Sequence, residues 1–102
     1  LTRPMIFMGA KGVVSVASNI LPREVTDLVH HALAGRFNEA LSMHREYYGL
    51  FKGMFFETNP LPIKTAAAML GHCSETFRSP LVPLDTAGRE VVRELLDTYR
   101  LT

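Results

Sequence analysis

Tryptophan is absent from this chain of 102 residues, and cysteine occurs only once, at Cys73. A single cysteine excludes an intrachain disulfide and leaves no second thiolate for a structural zinc site, which suits a reducing compartment. The chain has eleven lysine and arginine residues and ten aspartate and glutamate residues. Because there is no excess of basic residues, a nucleic-acid partner is not predicted. No apolar run approaches the roughly 20 residues that span a bilayer. These absences predict a cytoplasmic protein that binds neither nucleic acid nor membrane.

The length is too short for a complete β/α barrel, which needs roughly 250 residues. The first residue is Leu1, and we expect processing or truncation to have set this N-terminus. Gly12 precedes a β-branched run at residues 13–17 that has no charges and no polar alternation. Such a run is typical of a strand covered on both faces, and it is the only convincing strand in the chain.

The rest of the chain has helical periodicity interrupted by proline and glycine. Residues 5–8 have the character of the last turn of a helix, closed by Gly9. Four longer helices are predicted: from Pro22 to a stop at Gly35, along an aromatic stripe from Phe37 to Phe55, from Pro62 to Gly71, and from an N-cap at Asp85 to Tyr99. The chain as it stands is therefore predicted to be mainly α, with one strand plus four helices. One strand is too few for an independent α/β domain, which packs its helices against a sheet of several strands.

Histidine and cysteine side chains invite a metal or nucleophile hypothesis. His30, His31, His44 and His72 lack the carboxylate-histidine spacing of a known metal motif, and no metal site is predicted. Asp27 and His31 are spaced to form a surface pair. Cys73 has no positioned base, and a small, partly buried thiol is the simpler interpretation.

Three lysines could be considered as Schiff-base amines, a role that needs burial in an apolar pocket. Lys11 precedes the predicted strand, Lys52 lies on a polar helical face, and Lys64 lies in the first turn of a helix. Lys64 is the least implausible of the three, but solvation of its ammonium is the expectation. The stripe that includes Phe51 and Phe55 has helical spacing and is more typical of a core than of a cofactor pocket.

Five motifs follow one another along the chain. They are Gly-Ala-Lys-Gly-Val-Val-Ser-Val-Ala-Ser-Asn at 9–19, Pro-Arg-Glu at 22–24, Gly-Arg-Phe-Asn-Glu-Ala at 35–40, Glu-Thr-Asn-Pro-Leu-Pro-Ile-Lys at 57–64 and Arg-Ser-Pro-Leu-Val-Pro-Leu at 78–84. In this order they resemble the last barrel strand and the following helices of the dihydrodipicolinate synthase family, within the class I pyruvate-dependent aldolases. The resemblance covers essentially the whole chain, but only the C-terminal third of the family's length.

The resemblance implies the C-terminal part of a β/α TIM barrel. Residues 1–20 would supply a helix end and the last strand, and residues 21–102 a C-terminal helical region. It implies a homotetrameric lyase of lysine and diaminopimelate biosynthesis, which joins pyruvate to aspartate semialdehyde through a lysine Schiff base and needs no further cofactor. The family's lysine, its proton-relay tyrosine and its pyruvate-contacting threonines have no counterpart here, so no catalytic residue is expected and the isolated chain is expected to be inactive. Val14 alone maps to a site position, a main-chain contact to pyruvate where the family commonly has Ile.

Two alternatives stay open at this point. The chain resembles, less closely, other pyruvate aldolases such as N-acetylneuraminate lyase. It could also be a non-catalytic helical interaction module, in which an unpaired strand edge is completed by self-association or by a partner. The expected partner is accordingly the remainder of a barrel or a second copy in a homo-oligomer.

Overall fold

The computed structural model describes all 102 residues and contains five α-helices and one 3₁₀ turn. The helices are α1 (Thr2–Phe7), α2 (Pro22–Leu33), α3 (Phe37–Gly53), α4 (Leu61–Met69) and α5 (Thr86–Thr98), and the 3₁₀ turn is Ala17–Asn19. The chain forms two compact units, Leu1–Tyr48 and Gly49–Thr102, whose boundary falls within α3. None of the helices has both the length and the apolar character needed to cross a membrane.

Helix ends lie close to the predicted positions. Gly35 and Gly71 follow α2 and α4 with φ of +80° and +84°, a left-handed conformation that glycine adopts without a Cβ clash. The carboxylate of Asp85 accepts a hydrogen bond of 2.7 Å from the backbone N–H of Gly88, which confirms it as the N-cap of α5. The helix predicted from Pro62 begins one residue earlier, because proline is tolerated anywhere in a first turn whose N–H groups are unpaired.

The strand predicted at residues 13–17 is not formed in this chain. Residues 11–15 have no regular structure, Ser15 and Val16 lead into the turn, and Ala17 already belongs to the 3₁₀ turn. The physical reason is that a strand is defined by a hydrogen-bonded ladder, and the chain supplies no second strand to make one. The β-branched composition therefore describes a segment suited to a sheet that this chain does not itself contain.

In the unit Leu1–Tyr48, α1 packs against α2, and α2 also contacts the 3₁₀ turn. The buried side chains of Ile6, Ala32 and Ala40 form a cluster, with Ala10 and Val29 packed against it. Two of these three buried residues are alanines, so the backbones of the helices that carry them can approach closely. Ala10, which packs against this small apolar core, directly precedes the segment at residues 11–16.

In the unit Gly49–Thr102, α4 packs against α5. Leu50, Met54, Val92 and Leu96 are completely buried, and each buried aliphatic side chain of this size contributes about 1.5–3 kcal/mol. The hydroxyl of Tyr99 accepts a hydrogen bond of 3.2 Å from the backbone N–H of Leu50. The end of α3 is thereby fixed to the end of α5.

Candidate functional site

The main chain of residues 11–14 makes few hydrogen bonds. No backbone hydrogen bond joins these residues to the rest of the chain, and the side chain of Val14 is fully exposed. Val13 is also exposed, at 42%. A β-branched pair with free N–H and C=O groups can pair with a neighbouring strand or offer a carbonyl to a small ligand. The predicted site residue Val14 therefore lies where its main chain is accessible.

The end of this segment is held by a local network. Ser18 donates from its hydroxyl to the carbonyl of Ser15 at 2.7 Å, and its backbone N–H donates to the hydroxyl of Ser15 at 3.3 Å. The side-chain amide of Asn19 donates to the carbonyl of Val16 at 2.9 Å. These bonds turn the chain at residue 15 into the 3₁₀ turn, so residues 11–14 are held at their C-terminal end by local hydrogen bonds.

The histidines do not assemble into a metal site. No three His, Cys, Asp or Glu side chains of the chain are grouped so that they could hold a metal ion. His31 accepts a hydrogen bond of 2.9 Å from Arg36 rather than forming the predicted pair with Asp27, because the turn after α2 brings the guanidinium back over the helix. Burial lowers the pKa of His44 below 6.5, and the positive charges of the amino terminus, Arg3 and Arg45 lower it further.

Tyr47, which lies in the same unit as His44, also has a shifted pKa. Burial raises the pKa of Tyr47 above 10.0, and the carboxylates of Glu46 and Glu24 raise it further. A tyrosine shifted in this direction stays protonated at neutral pH, so it is a hydrogen-bond donor rather than a base. It therefore does not provide the proton acceptor that a catalytic centre in this unit would need.

The three lysines differ from one another in their surroundings. Lys11 and Lys52 are exposed, and for Lys52 this agrees with its predicted position on a polar helical face. Lys64 is not simply solvated: its ammonium donates to the carbonyl of Thr76 and lies 5.3 Å from the centroid of the Phe77 ring. None of the three lies in a closed apolar pocket, so the structure brings no lysine into a site suited to imine formation.

Cys73 is exposed rather than partly buried as predicted, because the turn after α4 carries it to the surface. It lines an open cavity of about 210 Å³ together with Ala68, Met69, Glu75 and Arg89. Arg89 and Glu75 form an ion pair across this cavity. Sequence reasoning missed both this pair and the Lys64 contacts, since partners 12 and 14 residues apart in an irregular segment have no periodicity that could reveal them.

Comparison with known proteins extends over almost the whole chain. Residues 1–99 match the model of the Dihydrodipicolinate synthetase family. The 4-hydroxy-tetrahydrodipicolinate synthase of Aquifex aeolicus is 48% identical over 101 residues, which are 99% of this chain and 34% of that protein. The chain thus spans about a third of the length of the curated relatives it matches.

Solved structures agree with the sequence match. The crystal structure of dihydrodipicolinate synthase from Aquifex aeolicus superposes with a TM-score of 0.94 over 96% of this chain and 33% of its own. The chloride-inhibited enzyme of Acinetobacter baumannii, described as complexed with pyruvate, gives a TM-score of 0.93 at 29% identity, over 98% of this chain and 34% of its own. The fold is therefore that of a piece of a TIM-barrel enzyme, as the sequence predicted.

Proposed function

This chain belongs to the dihydrodipicolinate synthetase family, and on that premise we propose that it forms the C-terminal third of a 4-hydroxy-tetrahydrodipicolinate synthase. The observation that carries the proposal is the continuous match over 99% of the chain to only 34% of a relative at 48% identity. A barrel of this kind gathers its chemistry at the C-terminal ends of its strands. Residues 1–20 would complete that barrel, and residues 21–102 would form the helical region that follows it.

The proposed reaction joins pyruvate to aspartate semialdehyde through a lysine imine. The lysine amine and the ketone carbon of pyruvate form a C=N bond and release water. The imine withdraws electrons, so a proton leaves the methyl carbon, which then bonds to the aldehyde carbon while the aldehyde oxygen takes up a proton. The pyruvate complex described for the Acinetobacter relative supports the first substrate. Such an enzyme would serve lysine and diaminopimelate biosynthesis in the cytoplasm.

Val14 is the residue of this chain that we propose to contact pyruvate, through its main chain. Support comes from the free backbone groups of residues 11–14 and from the bonds that fix Ser15 and Ser18 behind them. A main-chain contact does not depend on which β-branched side chain follows it, so valine can replace the isoleucine common in the family. The imine lysine itself would lie in the part of the enzyme that this chain does not match.

The proposed partner of the isolated chain is the remainder of the barrel, within a homotetramer. Met5, Met8 and Val14 expose 54%, 82% and 104% of their surface, and side chains of this kind are normally covered in a stable domain. The same residues would also fit the second candidate, a non-catalytic module that binds another protein. Size-exclusion chromatography with light scattering tests both candidates: a stable monomer that does not associate with the rest of the barrel would count against both.

Borohydride trapping tests the catalytic assignment. The chain is incubated with pyruvate and borohydride, alone and together with the remaining two thirds of the Aquifex aeolicus enzyme, and adducts are located by mass spectrometry. We expect no adduct on this chain in either mixture and synthase activity only in the second. A stable adduct on Lys11, Lys52 or Lys64 of this chain would overturn the proposal that the imine lysine lies elsewhere.

A further inference from the structure

The connection between α4 and α5 has little backbone support of its own. The N–H of His72 still bonds to the carbonyl of Ala67 at 2.9 Å, which closes the end of α4. Residues 73–77 form no backbone–backbone hydrogen bond, and no regular structure is assigned from residue 74 to residue 78. A segment of this kind is expected to open readily unless side chains hold it. We call residues 72–77 the strap.

Lys64, in the first turns of α4, contacts the strap at three places. Its ammonium donates to the carbonyl of Thr76 and lies 5.3 Å from the ring centroid of Phe77, within range of a cation–π interaction. Its own main-chain carbonyl accepts a weak hydrogen bond of 3.8 Å from the thiol of Cys73. One residue of α4 therefore holds both ends of the segment 73–77.

A second contact reaches the strap from α5. The guanidinium of Arg89 donates to one carboxylate oxygen of Glu75, whose side chain is 25% exposed, while the other oxygen is buried without a partner. Burial of an unpaired carboxylate oxygen costs desolvation free energy, which offsets part of the stabilisation by the ion pair. This pair alone therefore holds the strap only weakly. The contacts of Lys64, made to a carbonyl and an aromatic face, leave no such unpaired group.

We propose that Lys64 is a positioning residue that latches the strap onto α4 and so fixes the connection between α4 and α5. The proline motif at residues 60–64 then has a function. It sets the residue at which α4 begins, and thereby the side of the helix from which Lys64 reaches Thr76 and Phe77. When the contacts of the Lys64 ammonium are lost, the strap keeps the Arg89–Glu75 pair, the weak thiol bond of Cys73 and the His72 N–H bond at its start. This inference concerns the chain's own conformation and stands whether or not the proposed synthase activity is found.

Trypsin cleavage after Arg78, an exposed residue just beyond the strap, measures the opening. When the strap closes faster than it is cut, the cleavage rate follows the population of the open state. In the full chain we expect K64M to raise the rate of the Arg78–Ser79 cut about tenfold, which corresponds to about 1.4 kcal/mol. K64R, which keeps the cation and its donors, should stay within about threefold of the parent. K52M is the matched control, because Lys52 is exposed and its ammonium makes no hydrogen bond or ion pair.

Equal cleavage rates in K64M and K52M would overturn the proposal, and so would K64R behaving like K64M. The F77L variant provides a second test that leaves Lys64 in place and serves if K64M does not fold, as judged by circular dichroism. We expect F77L to raise cleavage about threefold, by removal of the cation–π contact. In the double variant K64M/F77L the rate should not exceed that of K64M, because both changes break one latch. Multiplied effects in the double variant would contradict a shared latch.

Discussion

Substitution of Gly49 by alanine is expected to destabilise the chain, although alanine is the better helix former. Gly49 lies within α3, where alanine gains about 1 kcal/mol over glycine. An added Cβ would collide with the hydroxyl of Tyr99 and lie 3.5 Å from its ring carbon Cζ. The ring would have to move, which loses the bond from Leu50, about 1 kcal/mol, and adds about 1–3 kcal/mol of strain. The net expectation is a loss of about 1–3 kcal/mol, since the strain and the lost hydrogen bond together exceed the gain in helix propensity.

Urea denaturation followed by far-ultraviolet circular dichroism measures this loss. Circular dichroism is used because the chain has no tryptophan whose fluorescence could report unfolding. The informative control is the same substitution in a Y99F background. With the hydroxyl removed, the nearest ring atom lies at an ordinary contact distance, so G49A should now stabilise by about 0.5–1 kcal/mol. The sign of the effect should therefore reverse between the two backgrounds. If G49A stabilises the parent chain, or if its effect is the same in both backgrounds, the reasoning is wrong.

Three further predictions concern a cap, a core residue and a titrating group. D85A should lower stability by about 1 kcal/mol through loss of the α5 N-cap, whereas D85N should change it little; equal effects in thermal unfolding would refute the capping role. L96A should cost about 2–5 kcal/mol because Leu96 is completely buried, whereas V82A, at an exposed position, should stay within about 0.5 kcal/mol in the same denaturant titration. The folded state lowers the pKa of His44, so the unfolded chain binds more protons and stability should fall as the pH drops below about 6.5; H44Q should flatten this dependence, and an unchanged slope would show that other groups cause it.

The helices could be predicted from the sequence because their signals are local. Proline at a helix start, an N-cap carboxylate at Asp85 and glycine after the last turn at Gly35 and Gly71 act within a few residues. The apolar residues of α2 and α5 recur with helical spacing, and Leu28 and Leu96 on these faces are buried. These features needed no knowledge of distant contacts.

The 13–17 segment and the strap could not be predicted in the same way. A strand depends on neighbours, and the composition of residues 13–17 describes a sheet environment that lies outside this chain. The surroundings of Lys64 and the pair of Glu75 with Arg89 depend on how an irregular connection folds back on two helices, which no spacing in the sequence encodes. Val14 was predicted as a site residue from the family resemblance alone. The structure shows that its main chain is accessible. Its contact with pyruvate stays a prediction.

Amide hydrogen exchange at residues 12–16 tests the central claim most directly. The chain is measured alone and after mixing with the remaining two thirds of the Aquifex aeolicus enzyme. If residues 13–17 become the last strand of a barrel, their amides should exchange quickly in the chain alone. In the mixture they should gain strong protection, because they would then be hydrogen-bonded to a neighbouring strand. Fast exchange in both samples, in a mixture shown to associate, would contradict the claim that this chain completes such a barrel.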